Sequence, residues 1–308
     1  MREDWTEAFA QTARDYWGDE RLQTLTGGKN LLVTPANAAV LLRALGLLHR
    51  DASMPPKEVR KFLQLNHMLR TLAPDLLAAS QNAEPLRIVD AACGRAYLTV
   101  ALAWCFEHVW KRPVVVVGVD RNADLVEESR RRAALAGVEH VMTFVASDLA
   151  SYQWTDAADV AVVLSLHACD TATDDALAFG VRHKARLIAA APCCQAELSR
   201  GWKTLAESQT RGAFAPVWNS PSLRRATAAT VTDTFRMLLL GAAGYEARAL
   251  EFVASSHTPK NTLIIARQAD DVAARSLDEY VALKRATGGV GITLEGLIGV
   301  CAADQSAV

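Results

Sequence analysis

The sequence predicts an α/β protein, a mostly parallel sheet flanked by helices with a helical cap ahead of it. Three observations lead there. Leu86-Arg-Ile-Val-Asp90 runs into the small-residue turn Ala91-Ala92-Cys93-Gly94, after which Leu98, Val100, Ala101, Leu102 and Trp104 continue at helical spacing. Pro113-Val-Val-Val-Val-Gly-Val-Asp120 is a nearly unbroken apolar run, which suits a strand buried on both faces of a parallel sheet. Asp90, Asp120 and Asp148 end successive predicted strands with helices between them, the order of strand–loop–helix units that hold a ligand at their carboxyl ends.

The N-terminal cap covers residues 1–85. Leu31 to Leu48 is a long apolar stretch rich in Ala and Leu. Pro55-Pro56 breaks it, and the spacing of Val59, Phe62, Leu63, Asn66 and Leu69 predicts a helix over 57–72. Pro74 and the polar 80–85 segment mark the entry to the main domain. Lys57, Arg60, Lys61, His67 and Arg70 on this helix either contact phosphate or form a solvated face.

The main domain spans 86–270. After Asp120, Asn122 offers an N-cap and Gly137 a C-terminal stop. Leu125, Ser129, Ala133 and Ala136 form the buried face of the helix between them, and Arg130-Arg131-Arg132 its wet face. Strands follow at 140–145, 159–166 and 186–191. Thr171 with Asp174 three residues on reads as a capping box. A helix over 225–242 precedes two closing strands, 245–254 and 262–266. An extension over 271–308 holds one helix, 277–285, and a short apolar segment, 292–300.

Composition narrows the function classes. The 308 residues are 51% hydrophobic, enough for one large or two modest domains. The net charge of −1 gives no global field that would draw the chain to nucleic acid. Met-Arg-Glu-Asp opens the chain without an apolar run, and no stretch is long enough to span a bilayer. Six cysteines show no disulfide framework, so a cytoplasmic setting without membrane contact is expected. Nothing in the sequence sets an oligomeric state.

A dinucleotide fingerprint requires G-x-G-x-x-G, and only Gly94 is present, which opposes a nicotinamide-dependent oxidoreductase. A carboxylate at Asp120 instead suits the two hydroxyls of an adenosine ribose. The 86–98 segment resembles motif I of the class I S-adenosylmethionine-dependent methyltransferases, with Ala92 and Ala96 standing where glycine is usual. Alanine there is compatible with the loop if its φ is negative. The resemblance implies a Rossmann-like class I methyltransferase sheet, mostly parallel and seven-stranded, with S-adenosyl-L-methionine as cofactor. It implies Asp90, Ala92 and Gly94 around the methionine end, Asp120 at the ribose and Asp148 at the adenine. Arg121, Leu149 and Leu166 complete the cofactor-binding set.

Leu166-His-Ala-Cys-Asp-Thr-Ala-Thr-Asp174, taken with Pro192-Cys-Cys194, is similar to methyltransferase-domain family 32. That group includes the methyltransferase-like 25 proteins and resembles tRNA 2′-O-methyltransferases. Those tRNA enzymes carry Gly where this chain has Asp170. The resemblance covers about residues 57–267. His167 and Asp170, at a strand's carboxyl end where ligands bind in open α/β sheets, are the catalytic candidates, with His167 otherwise a structural histidine; Cys169, Pro192, Cys193, Cys194 and His257 line the substrate pocket. For the cysteines, a zinc site with His167 is opposed by the adjacency of Cys193 and Cys194 and the lack of Cys-x-x-Cys spacing. A thiolate nucleophile needs a depressed pKa. A pocket wall without metal is the expected reading.

The first acceptor reading is RNA. Arg200, Lys203, Arg211, Arg224 and Arg225 face a single acid, Glu207, and Trp202, Phe214 and Trp218 are interleaved, as suits phosphate contact and base stacking. A small molecule or a protein side chain is the alternative acceptor. A non-catalytic S-adenosylmethionine-binding scaffold is a third reading, motivated by the missing glycines.

Overall fold

A computed structural model describes residues 2–80, 84–156, 158–166, 168–251, 261–270 and 272–300. Four helices come first: α1 (Arg2–Tyr16), α2 (Asp19–Thr26), α3 (Ala39–Ala44) and α4 (Pro56–Ala79). The long apolar stretch of 31–48 contains only the short α3. Pro35 stops a helix from starting earlier, and Thr34 and Asn37 close a turn in which Asn37 Oδ1 accepts from Thr34 N at 2.7 Å. Val33 bonds instead to the buried Asn66 side chain, at 3.0 Å from its own N–H and 2.9 Å to its carbonyl. α4 starts at Pro56, where a missing N–H costs nothing. It does not end at Leu72: it runs on through Pro74. Burial of Phe62, Leu65, Leu69, Leu72 and Leu76 along one face outweighs the one helical bond Pro74 forgoes.

The sheet follows as β1 (Leu86–Ala91), α5 (Tyr97–Cys105), β2 (Val114–Asp120), α6 (Ala123–Ala136), β3 (Met142–Ala146), β4 (Val162–Ser165), α7 (Thr171–Arg182) and β5 (Leu187–Ala190). Then come α8 (Glu197–Glu207), α9 (Ala215–Trp218), α10 (Pro221–Ala242), β6 (Tyr245–Glu251), β7 (Thr262–Gln268), α11 (Ala273–Ala286) and α12 (Thr293–Leu297). Seven strands among the described residues lie in the order β3-β2-β1-β4-β5-β7-β6. β2 with β3 and β4 with β5 pair in parallel, while β7 runs antiparallel to both β5 and β6. This is the mostly parallel, Rossmann-like sheet of the class I methyltransferases. No described helix is long and apolar enough to cross a membrane.

The chain forms two compact units. One holds the residues up to Ile88 with Gly94–Ser147, the other Val89–Cys93 with the residues from Asp148 onward. In the first, Asn122 caps α6 by accepting from Asp124 N at 3.0 Å and Leu125 N at 3.3 Å, and Gly137 closes it in the left-handed conformation. The buried face differs from the one expected, because Val126 rather than Leu125 points inward. The basic run is not simply wet either. Arg132 is buried, donating to Arg95 O at 2.7 Å and lying 4.2 Å above the Tyr97 ring.

In the second unit, Glu197 at the start of α8 accepts from Thr293 Oγ1 at 2.6 Å and Thr293 N at 3.1 Å, which fastens α12 to α8. Glu295 of α12 takes Tyr280 OH at 2.9 Å and Lys284 Nζ at 2.7 Å from α11.

Candidate active site

The site begins with the loop after β1, whose Ala92 belongs to the second unit and whose Gly94 and Ala96 belong to the first. Ala92 (φ 58°), Gly94 (φ 54°) and Ala96 (φ 49°) all adopt left-handed backbone, so the expected negative φ at the two alanines does not hold. A left-handed alanine costs about 1–2 kcal/mol, so the surroundings must over-determine the shape. They do so around Gly94, whose N–H donates to Asp120 Oδ2 at 2.8 Å and whose carbonyl accepts from Ser129 Oγ at 3.0 Å. The loop keeps the path that glycines would give it.

Asp120 closes β2 and holds this corner together. Its Oδ2 takes Gly94 N–H, and its Oδ1 takes Asn122 N–H at 2.9 Å, next to the α6 cap. An ionised carboxylate has about four acceptor sites, so both oxygens retain capacity for hydroxyl donors. Arg121 is exposed beside it.

The remaining cofactor candidates lie in the second unit. Asp90 is fully buried inside β1, which continues to Ala91, so it is not the strand's last residue. Ala92 is half-buried. Asp148 is exposed and turns its Oδ1 to Ala150 N at 2.9 Å, while Leu149 is buried and Leu166 partly so. An acceptor-only carboxylate suits an amino-group donor such as that of adenine.

β4 and β5 are parallel neighbours, as expected, so the segments following them share one end of the sheet. His167 and His257 lie outside the described residues. Asp170 is described, and its carboxylate is already committed. Oδ1 accepts from Ala196 N at 2.9 Å and Glu197 N at 3.1 Å, and Oδ2 pairs with Arg200 at 2.8 Å. Asp170 therefore caps the N-terminus of α8. Burial raises its pKa, but the bonds from Arg200, Ala196 and Glu197 outweigh burial and hold it below the ordinary carboxylate value. Such a carboxylate is a poor general base, so of the two roles expected of Asp170, orienting or deprotonating the acceptor, its bonding favours the first. Its φ of 52° also explains why glycine suits this position.

Asp174 is not the second half of a capping box. It is fully buried and receives Arg236 Nε at 2.8 Å, with Arg236 itself 0% exposed. Arg236 also donates to Asp233 Oδ1 at 3.0 Å and to the Asp170 carbonyl at 2.9 Å. Gln195 Nε2 reaches Asp233 Oδ2 at 2.9 Å, and Asp170 N–H reaches the Cys194 carbonyl at 3.1 Å. Arg236 thus ties the 168–174 segment to the Pro192–Gln195 segment. Its sequence signal is a lone arginine among Phe235, Met237, Leu238, Leu239 and Leu240, which a buried carboxylate partner accounts for.

Cys169 is exposed and Cys193 and Cys194 are half-buried. Burial, then the neighbouring thiols of Cys169 and Cys194, push the Cys193 thiol up to about 12, so it is protonated at neutral pH and no free thiolate nucleophile. The aromatic residues of 199–225 do not form a stacking surface. Trp202 is 0% and Trp218 2% exposed, and Phe214 packs on both at ring distances of 5.1 and 6.3 Å. Arg200 serves Asp170 and Arg224 donates to Trp218 O at 2.7 Å.

Residues 60–201, just under half of the chain, match a family model described as a methyltransferase domain, family 32. No curated protein matches the chain. Among solved structures, the chain is similar to the magnesium protoporphyrin IX methyltransferase of Synechocystis PCC 6803 with bound SAH. That pair is 14% identical, covering 84% of this chain and 99% of that one, with a TM-score of 0.40. The SAH-bound Podospora anserina methyltransferase is 12% identical over 82% and 95% of the two chains, with a TM-score of 0.45. An rRNA methylase from Streptococcus thermophilus is 11% identical over 65% and 95%, with a TM-score of 0.40. Likenesses this distant carry no argument about substrate. The family match falls on β1 to β5 and their connecting loops, where the carboxylates and the glycine-type loop lie. Residues 60–201 match a methyltransferase domain of family 32, and the protein is an S-adenosylmethionine-dependent methyltransferase.

Proposed function

We propose that the chain methylates RNA, and that Asp120 receives the ribose of the cofactor, Asp148 its adenine, and Asp90 and Gly94 its methionine end. When bound, S-adenosylmethionine supplies an electrophilic methyl group on a sulfonium. This chain's own residues then have two tasks, to hold the acceptor in line and to exclude water. Cys169, Pro192, Cys193 and Cys194, at the carboxyl ends of β4 and β5, supply the wall against which the acceptor lies. His167 is the candidate for taking the acceptor's proton, since the Asp170 carboxylate is engaged by α8.

The observation that carries the RNA reading is the face of α4. Lys57, Arg60, Lys61, His67 and Arg70 are all exposed along one helix, Lys57 three and four residues from Arg60 and Lys61, and His67 three from Arg70. Two cationic groups on this face, Lys57-Arg60-Lys61 and Arg70 with His67 beside it, are of the kind that contacts a phosphate backbone. Phosphate contact makes affinity fall linearly with the logarithm of salt concentration. Anisotropy of a labelled single-stranded RNA across a KCl series is the test. Removing two contacts by Lys57→Glu and Lys61→Glu should flatten the slope by about 1.4. Binding that ignores both salt and these substitutions contradicts the reading. The second reading, a small-molecule or protein acceptor, is favoured by the buried tryptophans of α8 and α9 and by the net charge of −1.

A further inference from the structure

We infer that Cys169, Cys193 and Cys194 form a binding site for a thiophilic metal ion, Zn2+ in the first instance, with a fourth position open to water or a substrate atom. The three Sγ atoms all lie within 4.8 Å of one another. Cys193 and Cys194 Sγ are 3.8 Å apart. A tetrahedral zinc with Zn–S bonds of about 2.3 Å places its sulfur ligands about 3.8 Å apart. One edge of the tetrahedron is therefore already present, and the third sulfur needs to move by about 1 Å at most to complete a face.

Adjacent cysteines on an extended strand point to opposite sides, which is the objection to a shared ion. Cys193 and Cys194 escape it, because they follow the end of β5 in irregular backbone that brings both sulfurs to one side. Cys169 comes from the loop after β4. The two loops are locked together by the bonds already described: Asp170 N–H to the Cys194 carbonyl, Arg236 to the Asp170 carbonyl, and Asp170 Oδ1 to Ala196 and Glu197 N–H. Thr173 Oγ1 adds a bond to the Ala168 carbonyl at 3.3 Å, and Cys193 Sγ lies 3.6 Å from that same carbonyl. A rigid outer layer of this kind fixes ligand geometry before the ion arrives. All three cysteines reach solvent at least in part, so an ion has access. Three soft sulfur donors select zinc or a similar ion over magnesium or calcium. Three protein ligands with one position open is the arrangement of zinc sites that bind water or substrate.

The test titrates the reduced, chelator-stripped full chain with Zn2+ against a chromophoric chelator, and separately with Cd2+ while following thiolate-to-cadmium charge-transfer absorption. The expected result is one ion per chain, with an absorption change equivalent to three thiolates. Cys169→Ser and Cys194→Ser should lose the stoichiometric binding, whereas Cys105→Ala, a buried cysteine elsewhere, should keep it. Calorimetric binding of S-adenosylmethionine by the same variants shows that they remain folded, and it separates failure of the metal site from failure of the methyltransferase reading. Absence of Zn2+ binding in the wild type, or undiminished binding in folded Cys169→Ser, overturns the inference.

Discussion

Asp170 holds a backbone conformation that glycine adopts freely and uses its side chain to cap a helix 26 residues later. The two effects oppose each other, and substitution separates them. Asp170→Ala keeps the unfavourable φ and loses the cap and the Arg200 pair, so it should cost about 1–3 kcal/mol of stability. Asp170→Gly loses the same bonds but relieves the backbone, and should be less destabilising than the alanine variant by about 1 kcal/mol. Chemical denaturation of the two variants measures the difference, and equal loss would remove the strain argument. The pH dependence has a fixed sign. The folded pKa of Asp170 lies below its unfolded value, so its contribution is fully present above about pH 4 and disappears as pH falls through the folded value. Asp170→Asn and wild type should therefore converge in stability in acid, and a gap that stays constant below pH 4 would contradict the assignment. None of this was legible in the sequence, because Ala196, Glu197 and Arg200 have no local relation to Asp170. Asp120 was legible, since its position at the end of an apolar run sets it at a strand's carboxyl end. The left-handed alanines were not, because a chain meets their cost through bonds to distant residues such as Ser129.

Among the elements, the strands were the most readable. Buried parallel strands are short apolar runs between turn signals, and β1, β2, β4 and β5 lie within one to three residues of their expected bounds. The helices were less so. α4 passes through Pro74, and the 31–48 stretch is mostly not helical, because Asn66 supplies Val33 with a partner outside any helix. Interleaved aromatic and basic residues in 199–225 read equally well as a nucleic-acid surface or as a packed helix pair. Burial of Trp202 and Trp218 decides for packing. The strongest unforeseen feature at this scale is Arg236, on α10, between Asp174 and Asp233. Arg236→Met should destabilise by about 3–5 kcal/mol, because it leaves two buried carboxylates without their guanidinium. Asp174→Asn, which keeps one acceptor for Arg236, should cost less. Thermal unfolding of both variants checks the order, and a neutral Arg236→Met would show that the network is not what holds the β4 and β5 loops together.

For the whole molecule, a seven-stranded sheet of this order and the family match over residues 60–201 establish the methyltransferase, and Asp120 and Asp148 are the residues proposed for its cofactor. The proposed RNA acceptor rests on local positive charge along α4 that the net value of −1 conceals. Asp120 is the residue through which the cofactor assignment is most exposed to test. It shapes the Gly94 loop through Oδ2 and the start of α6 through Oδ1, and it is the residue proposed to receive the ribose. Isothermal titration with S-adenosylmethionine, of wild type and of Asp120→Ala, tests it directly. The expected result is one binding site per chain, weakened by about 1–3 kcal/mol in Asp120→Ala, the scale of lost hydrogen bonds to a charged group. Binding that is unchanged in Asp120→Ala, or absent from the wild type, would contradict the account.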